Sequence, residues 1–322
     1  MKTSYRHGYG GPEVLTIRQA PIPTPGHGEV VVQVHAATVS RTDCAVLSGS
    51  PYVYRFLLGW PNPRINGTGT DFAGEVIAVG PKASFTVGDR VMGFNDGNLG
   101  SHAQHLKLSS KDAAIRIPDG VSYEAAAASI EGAHYARNFI NKVPLKVGDH
   151  VLVYGATGAI GSAAVALLKH HGAVITAVCP KEYHPAILNL GAHKVLDYRQ
   201  TPFTEQLRGQ SFDYVFDAVG KSSFGQCRPL LKSTGAYISS ELGELGQNIA
   251  LSFAGPFMRG PKVIFPVPTD VRLSLTMIAD LLSKGGYAPL IDRRYALDEL
   301  PSAFEYVASG RKVGSVMLTF DT

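Results

Sequence analysis

Apolar positions along the chain follow two different periods. From residue 1 to about 120 they come in short runs broken by turn formers, as in Val30-Val31-Val32-Gln33-Val34, Glu75-Val76-Ile77-Ala78-Val79 closed by Gly80, and Val87-Gly88-Asp89-Arg90-Val91. β-Branched residues between Gly, Pro and Asp mark strands and tight turns, so this part is expected to be mainly β. From about 122 to 268 compact apolar runs alternate with helical stretches. Val151-Leu152-Val153-Tyr154, Ala173 to Cys179, Lys194 to Asp197, Phe212 to Phe216, Ala236-Tyr237-Ile238 and Val263-Ile264-Phe265 read as strands. Ala159 to His171 and Lys181 to Leu190 read as helices, the second capped by Gly191. This alternation implies βαβ units around a parallel sheet. The tail offers helices around 270–284 and Leu297–Ser309, then a strand Ser315-Val316-Met317-Leu318, expected to pack back onto the first domain.

Composition narrows the class. A length of 322 residues fits about two domains, and 45% hydrophobic with 17% charged residues is ordinary globular protein. The 35 Gly and 20 Pro favour many turns over a helical bundle. A net charge of +4 without a block of Lys or Arg argues against a nucleic-acid partner. Cys44, Cys179 and Cys227 are far apart and form no C-x-x-C pair, which disfavours a disulfide framework and a thiolate zinc cluster and suits a reducing compartment. No apolar region follows Met1–Gly8, so no signal peptide is expected; no apolar stretch is long enough to span a membrane, and a cytoplasmic location is the expectation. Asn66-Gly67-Thr68 is taken as a turn rather than a glycosylation site.

The sharpest motif is Gly155-Ala156-Thr157-Gly158-Ala159-Ile160-Gly161, directly after one strand and opening a helix. A turn without Cβ atoms lets a pyrophosphate approach backbone N–H groups at a helix start, where the dipole is positive. The spacing is G-x-x-G-x-x-G, and the strand before it, the helix after it and the second strand behind it make it a dinucleotide site rather than a bare tight turn. Where the second strand ends, NAD sites usually place an acid for the ribose hydroxyls. Here the order is Val178-Cys179-Pro180-Lys181, with Glu182 the first acid. Lys181 would attract a 2′-phosphate and Tyr198 would add a hydroxyl, so NADPH is favoured; Glu182 on the ribose is the NADH alternative.

An ordered set of motifs runs along the whole chain: Gly10-Gly11-Pro12-Glu13-Val14-Leu15, Gly69-Thr70-Asp71-Phe72-Ala73-Gly74-Glu75-Val76, Val87–Val91, Gly155–Gly161 and Ala303 to Leu318. In this set the chain resembles the medium-chain dehydrogenase/reductase superfamily. The resemblance implies an α/β protein in which a doubly wound, parallel six-stranded Rossmann sheet (122–268) is inserted in a GroES-like, mainly β catalytic domain (1–121 and 269–322), with the cofactor in the cleft. Zinc alcohol dehydrogenases of this superfamily carry a catalytic Cys before x-x-Asp and a Gly-His-Glu motif. The corresponding residues here look like Ser40, in Ser40-Arg41-Thr42-Asp43, and Thr70, in Gly69-Thr70-Asp71. Hydroxyls are poor zinc ligands. The structural zinc lobe is also missing, with only a short polar turn expected at Asn95-Asp96-Gly97-Asn98. The match is therefore to the zinc-free quinone oxidoreductase-like and enoyl reductase-like branch, with no zinc.

That branch implies hydride transfer from NADPH to a small hydrophobic quinone or enone. Negative charge then develops on oxygen, and hydrogen-bond donors beside it matter most. Ser40 and Thr70 are the first candidates. Asp43 and Asp71 come second, with capping or backbone bonding as the favoured reading, and Tyr52 or Tyr54 is a candidate proton donor by resemblance. Tyr52 to Trp60 holds four aromatics in nine residues and would line an apolar pocket, pack as a loop, contact a second subunit or, more remotely, touch a membrane. His102 and His105 sit in a stretch, Gly100 to Leu106, that looks like a strand and would point to opposite faces, which disfavours shared metal ligation. His170 and His171 read as surface residues at a helix end. Gly155, Thr157, Gly158, Ala159, Ile160 and Gly161 are expected to hold the cofactor, together with Cys179, Lys181, Tyr198, Val219, Gly220, Phe265, Val267 and Gly314. A homodimer is expected, with Ala236–Ile238 to Val263–Phe265 as its edge. Two rivals are a zinc-free alcohol or aldehyde reductase and an NADPH-binding sensor or crystallin-like protein without turnover.

Overall fold

The computed structural model describes residues 1–95, 100–243, 246–255 and 259–320. It divides into two compact units, Met1–Ile130 with Val271–Ser283 and Leu290–Thr322, and Glu131–Asp270 with Lys284–Pro289. Strands β1 (Lys2–Arg6), β2 (Leu15–Gln19), β3 (Val30–Val39), β4 (Asp71–Val79), β5 (Arg90–Phe94), β6 (His105–Leu108) and β7 (Ala113–Arg116) come first. Then follow β8 (His150–Tyr154), β9 (Val174–Val178), β10 (Lys194–Leu196), β11 (Phe212–Asp217), β12 (Leu231–Ser239) and β13 (Lys262–Ile264), and finally β14 (Ile291–Ala296) and β15 (Ser315–Thr319).

In the first unit a seven-stranded sheet runs β14-β15-β3-β4-β5-β7, with β6 also paired to β3. The closing strand β15 lies antiparallel to β3, with Met317 opposite Thr38. Its core gathers Val30, Val32, Val34, Phe72, Val76 and Val91 from the strands with Leu300, Phe304 and Val307 from the helix Leu300–Ala308. Burial of such side chains at about 25 cal/mol per Å² is what holds the sheet and that helix together. Arg6, at the end of β1, is fully buried. Its Nε and Nη2 donate to the Ile65 carbonyl at 2.9 and 2.8 Å, and its Nη1 donates to the Val46 carbonyl at 2.8 Å. Burial lowers the pKa of this guanidinium.

The second unit is α/β. All pairings in its six-stranded sheet are parallel, in the order β10-β9-β8-β11-β12-β13. Chain order reverses between β8 and β11, the point at which doubly wound sheets bind ligands beyond the carboxyl ends of their strands.

Some expectations shift. Val87, Gly88 and Asp89 precede β5 in a turn, where the Thr86 N–H donates to Asp89 Oδ2 at 2.7 Å. Lys181–Tyr183 is a 3-10 turn, and the α-helix starts only at His184, because Pro185 suits its first turn and not its interior. Phe265 lies beyond the end of β13. Asn66-Gly67-Thr68 is irregular chain alongside β1 rather than a turn, with the Arg6 N–H donating to the Asn66 carbonyl at 2.8 Å. Residues 100–104 are not a strand: His102 turns inward to satisfy buried polar groups, and the strand begins at His105. Of the expected polar turn, Asp96, Gly97 and Asn98 lie outside the described residues. Of the proposed dimer edge, β13 is at the border of the sheet and β12 is interior.

Candidate cofactor and active site

In the second unit, β8 ends at Tyr154 and the chain turns at Gly155 with φ +80°. A Cβ on Gly155 would stand 2.6 Å from Val219 Cγ1, and one on Gly161 would stand 2.2 Å from the Gly155 carbonyl oxygen. Both positions therefore require glycine on steric grounds. Gly158 differs, since a Cβ there meets nothing nearer than 3.5 Å. It is the N-cap of the helix Ala159–His170 and contributes no side-chain cap. The first-turn N–H groups next to Thr157, Gly158, Ala159 and Ile160 are thus not claimed by a capping side chain, and a pyrophosphate fits that cradle.

The neighbouring loop hangs on one carboxylate. Asp217, the last residue of β11, is fully buried and pairs in register with Tyr154 of β8. The N–H groups of Val219 and Gly220 donate to its Oδ1 at 3.1 and 2.8 Å. The Ser222 N–H and hydroxyl and the Tyr237 hydroxyl donate to its Oδ2 at 3.1, 2.8 and 2.8 Å. Burial and this carboxylate push the Tyr237 hydroxyl far above its ordinary pKa, so it stays protonated and donates to Asp217. Ser222 and Tyr237 escaped sequence reading; an Asp ending a strand before a small-residue loop was the available signal.

Where β9 and β10 end, Cys179 is buried and its thiol is pushed up to about 12, chiefly by burial, with Asp197 and Glu182 adding to the shift. The Lys181 side chain is exposed, and its backbone N–H donates to Asp197 Oδ2 at 3.3 Å. Tyr198 is exposed, its ring 6.2 Å from that of Tyr154. Arg199, which the motif did not single out, donates from Nη1 to both oxygens of Glu182 at 2.9 and 3.0 Å. Phe265 is half-buried, its N–H donating to Ser252 Oγ at 3.2 Å, and Val267 is exposed.

In the first unit Ser40, Asp43 and Thr70 are all buried, and the backbone of Gly69, next to Thr70, bonds to Asp43. Ser40 caps the helix Arg41–Ser48 in a reciprocal capping box: its Oγ accepts the Asp43 N–H, and Asp43 Oδ2 accepts the Ser40 N–H and hydroxyl, both at 2.8 Å. Burial pushes the Asp43 carboxyl up to about 6, against opposing bonds from Ser40 and the Gly69 backbone and the charge of Lys312. Thr70 Oγ1, Asp43 Oδ1 and Ser101 Oγ are buried and have no hydrogen-bond partner among the described residues. Next to them Asp71 accepts from the Thr38 N–H and hydroxyl at 2.7 and 2.6 Å. His102 is held between Thr68 Oγ1 and the Thr38 carbonyl, each at 2.8 Å. The carbonyl can only accept, so Nε2 carries the proton and Nδ1 accepts from Thr68. Burial lowers the pKa of this imidazole to about 4.

Tyr52 stands apart on an aromatic strap. It is 66% exposed, as are Phe56 (74%), Leu57 (69%) and Trp60 (62%), and the short helix Val53–Leu58 has no buried residue. The strap is held to the unit by Arg55, whose guanidinium lies 5.0 Å from the ring centres of both Tyr9 and Tyr52, and by the Tyr9 hydroxyl donating to the Gly59 carbonyl at 2.8 Å. Gly314 packs against Leu290, whose carbonyl oxygen would lie 2.1 Å from a Cβ there. Among the described residues no group of three or more His, Cys, Asp or Glu is placed to hold a metal ion, and no helix is long and apolar enough to cross a membrane.

Comparison with known proteins places these features. Residues 26–119 match the family model "Alcohol dehydrogenase GroES-like domain", and residues 190–318 match "Zinc-binding dehydrogenase". The chain is 29% identical to a quinone oxidoreductase of Pseudomonas aeruginosa over 96% of this chain and 97% of that one. It superposes on the solved quinone oxidoreductase of Coxiella burnetii with a TM-score of 0.86 at 25% identity, covering 99% of each chain. It is also 30% identical over 91% of its length to a mycocerosic acid synthase-like polyketide synthase of Mycobacterium tuberculosis, of whose length it spans 14%. From its two domain types and its full-length relatives, the chain belongs to the medium-chain dehydrogenase/reductase superfamily, on the quinone oxidoreductase-like branch.

Proposed function

We propose that the protein is a zinc-independent, NADPH-dependent oxidoreductase that delivers hydride to a small apolar quinone or α,β-unsaturated carbonyl. The observation that carries this reading is the buried cluster around Ser40 and Thr70. It holds hydroxyls where zinc dehydrogenases of the superfamily carry Cys and His, and the Ser40 hydroxyl is committed to capping a helix. The likeness to quinone oxidoreductases along the whole chain supports the same acceptor class.

The chain's own groups have definite parts in this reading. The N–H groups at the start of helix Ala159–His170 and the Gly155 turn bind the pyrophosphate. Val219 and Gly220, fixed through Asp217, lie against the ribose, and Lys181 and Tyr198 receive a 2′-phosphate. NADPH, when bound, supplies the hydride. Thr70, whose hydroxyl has no hydrogen-bond partner among the described residues, donates toward the acceptor oxygen, and Asp43 positions Ser40. The apolar strap at 52–60 covers the acceptor. The border strand β13 is the proposed homodimer edge, and three cysteines that form no disulfide among the described residues suit a cytoplasmic location.

The test is NADPH oxidation after EDTA treatment with quinones, enones and aldehydes, with NADH in parallel. Metal-independent turnover of quinone or enone is expected. Turnover of aldehydes alone, or activity lost to EDTA and restored by zinc, rejects the reading. NADPH binding with no turnover across the panel favours a binding protein.

A further inference from the structure

Glu182 lies about 20 residues beyond Gly161, the distance at which an acid on the second strand usually takes the ribose hydroxyls of NADH. In this chain that carboxylate is already engaged. Both its oxygens accept from Arg199 Nη1, and the backbone N–H of Arg199 is in turn fixed by Asp197 Oδ1 at 2.8 Å. Asp197 also accepts the Lys181 N–H, so the turns after β9 and β10 are tied together by one carboxylate. Their strands pair in parallel, Val178 opposite Leu196, so both turns emerge at the same sheet edge. Two acids and two bases thus share this edge. Arg199 and Glu182 keep about half of their side-chain surface exposed, at 52% and 48%. An exposed ion pair of this kind is weak and its partner is replaceable. A phosphate dianion is a stronger partner for a guanidinium than a carboxylate is, and it is repelled by a carboxylate left beside it.

We propose that the Glu182–Arg199 ion pair sets the choice between NADPH and NADH: Arg199 is the residue that selects a 2′-phosphate, and Glu182 competes with that phosphate for it. The inference rests on the nicotinamide-cofactor reading above. With the pair closed, Glu182 is the group facing a ribose hydroxyl and the site accepts NADH. With Arg199 turned to a phosphate, Glu182 must swing out to solvent, and that displacement weakens NADPH binding.

Calorimetry of the full chain with 2′,5′-ADP and 5′-AMP tests this without turnover. Arg199→Gln is expected to weaken 2′,5′-ADP about tenfold and to leave 5′-AMP within about twofold. Glu182→Gln is expected to tighten 2′,5′-ADP about tenfold. On the Arg199→Gln background that gain shrinks to the small part due to removing a nearby negative charge, because the competition has lost its object. Equal gains on both backgrounds mean bulk charge rather than competition and overturn the inference, as do variants that leave the ratio of the two affinities unchanged. Wild-type protein that binds neither nucleotide, nor NADPH or NADH, overturns the cofactor reading and the inference with it.

Discussion

Asp43 shows how a single buried carboxyl joins stability to the candidate site. Its pKa is raised from 3.8 to about 6, so the folded protein holds this proton more tightly than the unfolded chain does. Stability from this group is therefore gained as pH falls from 6 toward 4 and lost as pH rises through that window. The shift of about two units corresponds to roughly 3 kcal/mol of cost at neutral pH. Asp43→Asn keeps an acceptor for Ser40 and carries no charge. Urea unfolding should show it more stable than wild type at pH 7, with the advantage shrinking as the pH is lowered to 4; a constant difference would refute the assignment. His102 and His134 act in the opposite sense. Burial lowers both to about 4, so they resist protonation in the fold and withdraw stability between pH 6.5 and 4. The net response to acid is therefore expected to be destabilising, and steeper in Asp43→Asn than in wild type. The Ser40-x-x-Asp43 capping box was legible as a pattern; the burial that shifts Asp43 arises from packing between distant segments, and no local sequence rule carries it.

At the level of elements, the turn from β8 into the helix Ala159–His170 separates folding from binding. A Cβ at Gly161 would meet the Gly155 carbonyl at 2.2 Å, which is backbone and cannot yield, so Gly161→Ala should lower stability by several kcal/mol. Gly158→Ala has room and should fold within about 1 kcal/mol of wild type, losing nucleotide affinity instead. Thermal unfolding and calorimetry with 5′-AMP read the two effects apart. The loop after β11 offers a second check. Asp217→Ala strands five donors at once and should cost roughly 3–5 kcal/mol in denaturant unfolding, whereas Tyr237→Phe removes one of them and should cost about 1 kcal/mol. The glycine turn was legible because it follows an apolar strand and opens an Ala-rich helix. Tyr237 was not, because its partner lies 20 positions earlier on an adjacent strand. The Gly100–Leu106 stretch misled for a related reason: His102 serves buried carbonyl and hydroxyl groups on distant segments instead of a strand face.

For the whole molecule, the ordered motifs and the change of period near residue 120 revealed the β-rich and α/β parts, and the strand order β10-β9-β8-β11-β12-β13 places the glycine turn and the Asp217 loop side by side at the point of reversal. The aromatic strap was visible as a cluster; its exposure was not, since periodicity does not tell which apolar residues remain uncovered. That exposure makes a simple prediction. Phe56→Ser and Trp60→Ser should leave the unfolding midpoint within about 0.5 kcal/mol of wild type, while the KM for a long-tailed quinone rises several-fold and that for benzoquinone changes little. Equal changes for both quinones would remove the strap from acceptor binding.

Arg6 gives the strap a further significance. One buried guanidinium holds the carbonyl of Val46, in the helix Arg41–Ser48, and that of Ile65, so the eighteen positions from 47 to 64 are tied at both ends to a single side chain. The exposed strap is thus carried on a loop whose two feet share one fixed point, and a change confined to residues 52–60 leaves the atoms that anchor that loop where they are.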